Sequence, residues 1–292
     1  MTSRRSKFIL STWLLILTLG LISFGQTAVN GSGFQEAKLD SKLMGRQMPY
    51  RVIVPMGYDG AKMSTAKYTV IYLLHGLTGH YSNWTDKTKL THYAAAHNFI
   101  IVTPEGDNGW YSDSLGTPND RYESYIVKEL IPEIDSKFRT LPDRDHRIIA
   151  GLSMGGYGSL KFGLKYPELF SLVGSFSGAL GTTSWTEKTA GPMIGKSIDS
   201  IFGPEGSDAR KANDIFKIVR DVTPEKLKGM PYIYQACGTE DFLIDNNRDF
   251  LKLLNEKKVP HEYREHPGIH DWVFWDDQVR EFLDLADRRT KR

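Results

Sequence analysis

The strongest constraint on this chain is one hexapeptide, Gly151-Leu152-Ser153-Met154-Gly155-Gly156. It lies between a short β-branched run at 147–150 and a helix-forming stretch at 156–166 that is closed by Pro167. A strand that turns at once into a helix brings two backbones together, and Gly151 and Gly155 remove the side chains that would collide. The turn lifts the serine hydroxyl off the sheet. It also sets it at a helix N-terminus, where N–H groups face developing negative charge. A hydroxyl so placed reads as a nucleophile, which needs a base and a carboxylate to orient that base.

The rest of the chain supplies the scaffold such a turn requires. Strand-like runs occur at 51–54, 69–74, 99–103, 147–150, 172–177, 232–237 and 261–265. Helical periodicity separates them at 86–97, 122–138, 156–166 and 246–257, and a terminal helix is predicted over 272–286. The run TVIYLL at 69–74 is apolar throughout, as in a strand buried on both faces. Alternating strands and helices imply an α/β fold: a mostly parallel sheet of right-handed βαβ units, covered on both sides. The segment 179–227 breaks the rhythm and reads as an insertion, a cap or binding loop.

With a Ser-acid-His order along the chain, the acid belongs after the strand at 232–237, in Gly238-Thr239-Glu240-Asp241. Asp241 is the candidate and Glu240 the alternative. Of the downstream histidines His261, His266 and His270, the last follows Pro267-Gly268-Ile269, a turn from which an imidazole can reach back over the sheet. His75 reads as structural. Two oxyanion donors are expected, the N–H of Met154 and the N–H of Leu77 in the glycine-containing loop after residue 74. Trp110 and Tyr111, beyond the carboxyl end of the run at 99–103, and Trp185, in the insertion, are candidate substrate contacts. Trp272 and Trp275 read as core.

The N-terminus stands apart. Arg4, Arg5 and Lys7 precede a nearly continuous apolar stretch at 8–21, and Ser23-Phe24-Gly25 offers small residues for cleavage before Gln26. Residues 1–25 therefore read as a secretory signal peptide, with an uncleaved membrane anchor as the alternative. The expected product is exported, periplasmic or extracellular, with no stable membrane association after cleavage. Residues 26–42 read as a linker and 43–292 as the catalytic domain. Cleavage would leave roughly 265 residues, enough for one large core. The net charge is +2, and Lys and Arg are scattered rather than striped, which excludes a nucleic-acid groove. The single cysteine, Cys237, excludes an intramolecular disulfide and a cysteine-based metal cluster, and it reads as a buried, inert thiol. The sequence carries no signal for an oligomeric state.

Five blocks carry a resemblance to a known family: Pro49-Tyr50-Arg51-Val52, Tyr72-Leu73-Leu74-His75-Gly76, Gly151 to Gly156, Cys237-Gly238-Thr239-Glu240-Asp241 and Gly268-Ile269-His270-Asp271-Trp272. Together, over roughly residues 43–285, the chain resembles the α/β-hydrolase esterases that include esterase D (S-formylglutathione hydrolase), tributyrin esterases, feruloyl esterases and the bacterial mycolyltransferases. The resemblance implies a triad falling on Ser153, Asp241 and His270, and no redox or organic cofactor or metal. It implies a small-molecule or carbohydrate-linked ester as substrate, with acyl transfer to a sugar hydroxyl or a thioesterase activity as alternatives. The export segment departs from the cytosolic formylglutathione hydrolases.

Overall fold

A computed structural model describes residues 33–59 and 65–290. The proposed signal segment therefore lies outside the described residues. Eight strands form one sheet: β1 (Gln35–Ser41), β2 (Arg46–Ile53), β3 (Thr69–Leu74), β4 (Phe99–Pro104), β5 (Arg147–Leu152), β6 (Leu172–Phe176), β7 (Tyr232–Gly238) and β8 (His261–His266), in the order β1-β2-β4-β3-β5-β6-β7-β8. β2 runs antiparallel to β1 and β4, and every pair from β4 to β8 is parallel.

Every residue of β3, β4, β5 and β6 is buried. Successive side chains point to opposite faces of a sheet, so each face contributes its own core. Val70, Tyr72, Leu74, Val102 and Ile149 pack on one side; Ile71, Leu73, Ile101, Ile148 and Ala150 pack on the other. Helices close both layers. In chain order they are α1 (Asn83–Lys87), α2 (Leu90–Ala94), α3 (Tyr122–Tyr125), α4 (Ile131–Lys137), α5 (Met154–Lys165), α6 (Glu187–Phe202), α7 (Asp208–Asn213), α8 (Ile215–Arg220), α9 (Pro224–Lys228), α10 (Ile244–Lys257) and α11 (Trp272–Thr290). A π-helical turn at Ile126–Leu130 joins α3 to α4. The mostly parallel, doubly covered sheet matches the expected α/β class.

Two expectations need correction. The helix predicted over 86–97 is two short helices, α1 and α2. Thr88 breaks it: its backbone is extended, and its hydroxyl bonds back to the Trp84 carbonyl. The linker assigned to 26–42 contains strand β1, so the domain begins before residue 43. In Gln35–Ser41 the exposed residues Glu36, Lys38 and Asp40 alternate with the half-buried Ala37 and Leu39. That period-two pattern is what a one-sided edge strand shows. The residues of the proposed linker before 33 lie outside the described residues.

The insertion at 179–227 is helical, built of α6 to α9 and a 3₁₀ turn at Thr182–Ser184. Arg210, 3% exposed, ties it together. Its guanidinium donates to the carbonyl oxygens of Gly203 (2.9 Å), Thr183 (3.0 Å) and Trp185 (2.8 Å) and pairs with Asp199. Five donors in a rigid fork suit this use.

Candidate active site

Ser153 sits between β5 and α5 with φ 51° and ψ −115°, a conformation costly for any side-chain-bearing residue. The surroundings enforce it. A Cβ on Gly151 would lie 2.5 Å from the Gly155 carbonyl oxygen, and one on Gly155 would lie 2.4 Å from the Leu74 carbonyl oxygen. The Ser153 N–H donates to the Phe176 carbonyl at 2.9 Å, and its own carbonyl accepts the Ala179 N–H at 3.0 Å. The turn is thereby fastened to the end of β6 and the start of the cap.

The loop after β7 and the loop after β8 meet above this turn. His270 Nε2 lies 3.0 Å from Ser153 Oγ, and His270 Nδ1 lies 2.8 Å from Asp241 Oδ2. Asp241 is 2% exposed, and its other oxygen accepts the Leu243 N–H at 2.8 Å. Burial alone would raise its carboxyl, but the His270 hydrogen bond and the Leu243 N–H outweigh it and hold the group below the usual Asp range. The alternative acid, Glu240, does different work. Its Oε2 accepts the Gly268 N–H at 2.6 Å, and its N–H donates to the Gly268 carbonyl at 3.0 Å. Glu240 thus pins the histidine loop while Asp241 orients the imidazole. His261 and His266 are the end residues of β8, outside this cluster.

The donor loop after β3 is equally specified. Thr78, at φ +60°, gives its N–H to Asn108 Oδ1 at 2.7 Å, and Gly79 gives its N–H to the Gly76 carbonyl at 3.0 Å. Among the described residues the N–H groups of Leu77 and Met154 have no acceptor, which suits the expected pair of oxyanion donors. Beneath the loop lies His75, fully buried, with Nε2 3.0 Å from Glu105 Oε1. Burial works against ionised Glu105, yet His75 and the backbone N–H groups of Asp107 and Tyr81 bring its carboxyl down to about 2. A carboxyl held lower in the folded than in the unfolded state stabilises fully above its ordinary range, and that contribution is lost as pH falls from about 4.5 toward 2. The wild type is expected to lose roughly 3 kcal/mol in this window that Glu105→Gln does not lose. About 2 kcal/mol of that is lost by pH 3, and urea midpoints at pH 6, 4 and 3 check it.

A cavity of about 880 Å³ opens over Ser153. Of the predicted contacts, Trp110 and Trp185 line it, their rings 6.0 Å apart and edge to face. Tyr111 does not. At φ +50° its backbone turns the ring inward, against space that Gly106 and Gly158 leave free, and its hydroxyl donates to the His75 carbonyl at 3.0 Å. Tyr111 braces the donor loop instead of touching substrate. The loop that carries it is clamped from α5: the buried Lys161 ammonium donates to the Tyr111 carbonyl (2.5 Å) and Ser112 Oγ (2.6 Å) and pairs with Glu123 (2.8 Å). Burial lowers this ammonium's pKa, and Lys161 and Lys165 draw Glu123 down despite its own burial. The core reading of Trp272 and Trp275 is incomplete, because both line the cavity. So does Phe242, which lies against His270. Cys237, within β7 near its carboxyl end, is buried, and burial followed by the charge of Asp241 pushes its thiol up to about 12.

This geometry has relatives. A model of the Esterase family matches residues 41–283. This chain belongs to the Esterase family. The acetyl esterase of Caldicellulosiruptor saccharolyticus is 30% identical over 251 residues, covering 82% of this chain and 92% of its own. An esterase of Mycobacterium tuberculosis is 29% identical over 77% of this chain, which spans 53% of the relative's length. A solved ferulic acid esterase superposes with a TM-score of 0.74 at 26% identity, covering 88% of this chain and 98% of its own. The protein is an α/β-hydrolase esterase acting on ester bonds, and its sheet, turn and cap are those described above.

Proposed function

We propose that this esterase is an exported carboxylesterase that hydrolyses short-chain acyl or aryl esters, of acetyl or feruloyl type, through an acyl-enzyme on Ser153. The observation that carries the reading is the relay Ser153–His270–Asp241, with its 3.0 and 2.8 Å contacts, opening into an aromatic-walled cavity. The names of the relatives, an acetyl esterase and a ferulic acid esterase, support the acyl classes. The basic and apolar N-terminal segment supports export.

Ser153 Oγ attacks the ester carbonyl carbon while His270 Nε2 takes its proton. The carbonyl oxygen becomes an oxyanion held by the N–H groups of Leu77 and Met154. The carbon–oxygen bond to the alcohol then breaks, and the leaving oxygen takes the proton from the imidazolium. Water, deprotonated by His270, attacks the acyl-enzyme. The acid leaves as Ser153 regains its proton. Asp241 keeps the imidazole in the tautomer that presents Nε2 to the serine.

The test is a panel of acetyl, butyryl and feruloyl esters of phenol and of sugar alcohols, run with fluorophosphonate labelling of Ser153. Turnover of the acetyl or feruloyl members with labelling at Ser153 is expected. A folded protein that neither labels nor turns over any member would refute the reading. Acylated sugar formed when a free sugar is added would favour acyl transfer over hydrolysis.

A further inference from the structure

Resting on that reading, we infer that Phe242 is a specificity-determining residue for the alcohol part of the ester, and that this alcohol carries an apolar or ring-bearing face. Phe242 follows the triad acid directly. Its ring centroid lies 4.6 Å from that of His270, yet the residue is 77% exposed. Trp275 meets the imidazole from a second direction, edge to face at 4.9 Å, and Trp272 stands 5.2 Å beyond it. Six large hydrophobic residues are exposed among those described. Three of them, Phe242, Ile269 and Val273, lie within three residues of Asp241 or His270. Ile269 and Val273 line the cleft adjoining the histidine loop. Of these three, Phe242 lines the cavity over Ser153, and an exposed ring left open beside a reacting imidazole marks a binding surface rather than a packing remnant.

The reaction assigns that surface. The carbonyl carbon held at Ser153 has three substituents to place. Its oxygen points to Leu77 and Met154. The leaving oxygen must lie at His270 Nε2, because that nitrogen protonates it as the carbon–oxygen bond breaks. The acyl chain takes the remaining wall, built by Trp110, Trp185 and Ile194. The alcohol therefore departs across Phe242 and the tryptophans beside His270. Aromatic and aliphatic groups gain from contact with such rings. By microscopic reversibility, an alcohol that replaces water in the second step enters over the same rings.

Ethyl and benzyl acetate test this, since they share an acyl group and differ in the alcohol. In Phe242→Ala, the ratio of kcat/KM for benzyl over ethyl acetate is expected to fall about tenfold, and Phe242→Leu is expected to recover part of it. The ratio of ethyl butyrate to ethyl acetate should stay as in the wild type. An equal loss on both acetates would make Phe242 only a brace for the imidazole. A change confined to the butyrate ratio would place it on the acyl side. Either result overturns the inference while leaving a labelled, active serine enzyme. Failure of the triad reading is distinguished by a wild type that does not label.

Discussion

Ser153→Ala is expected to lower kcat for an acetyl ester by roughly 10⁴- to 10⁶-fold while KM changes little. The hydroxyl is the only atom removed, and the alanine inherits the same strained backbone because Gly151 and Gly155 still hold the turn. The two free N–H groups remain, so a residue of rate over water should persist through polarisation of the carbonyl. Steady-state kinetics with a thermal melt on the same sample check this. A variant with unchanged Tm and near-wild-type kcat would remove Ser153 from the chemistry.

The second large effect is on the acid. Asp241→Asn should leave the fold intact and lower kcat by about 10⁴-fold, because an amide that donates to Nδ1 fixes the opposite imidazole tautomer. The Leu243 N–H, which now binds Oδ1, holds the replacement side chain in place. The sign of the pH dependence follows from the direction of the Asp241 shift. With its carboxyl below the usual Asp range, Asp241 remains ionised as pH falls to that range. An acid limb of kcat/KM that lies at or above the usual Asp range is therefore not the titration of Asp241. A rate profile of Asp241→Asn with the wild-type amplitude would contradict the assignment. Glu240→Gln gives the contrast: an amide oxygen can still accept the Gly268 N–H, so its effect should be far smaller.

The legible parts of this molecule are those in which a local pattern has a single reading. The apolar runs of β3 and β4 can only be buried on both faces. The glycines flanking Ser153 have no other use in a strand-to-helix turn. Asp241 and His270 follow because each lies in a loop at the carboxyl end of a strand, and both loops reach the same end of a parallel sheet. What escaped was set by tertiary contact. β1 is a polar edge strand whose alternation is masked by its Gly-rich approach. Tyr111 looks like its neighbour Trp110 in sequence and shares its positive φ, and only the space that Gly106 and Gly158 leave for the Tyr111 ring separates an inward ring from a wall. Trp272 and Trp275 have helical spacing that reads as core; the histidine loop beside them turns part of that face into cavity. Glu105 and Lys161 carry ordinary surface-type side chains in sequence, and only the folded chain supplies their buried partners.

The cap held by Arg210 leaves one strand and returns to the next, since β6 and β7 are paired neighbours. Because that pair is parallel, the cap starts at the carboxyl end of the sheet beside Ser153 and returns to its amino end, and the guanidinium cross-links of Arg210 run between the cap's own carbonyls rather than into the sheet. None of Ser153, Asp241 and His270 belongs to it. In engineering terms the segment is a module tied to the nucleophile turn through the Ala179 N–H on the Ser153 carbonyl. Changes at Trp185 and Ile194 would remodel the cavity wall, while the proton relay stays on the loops of the sheet beneath. Substrate range in such a design is open to change at the cap wall, provided the Ala179 anchor on the turn that carries the nucleophile is kept.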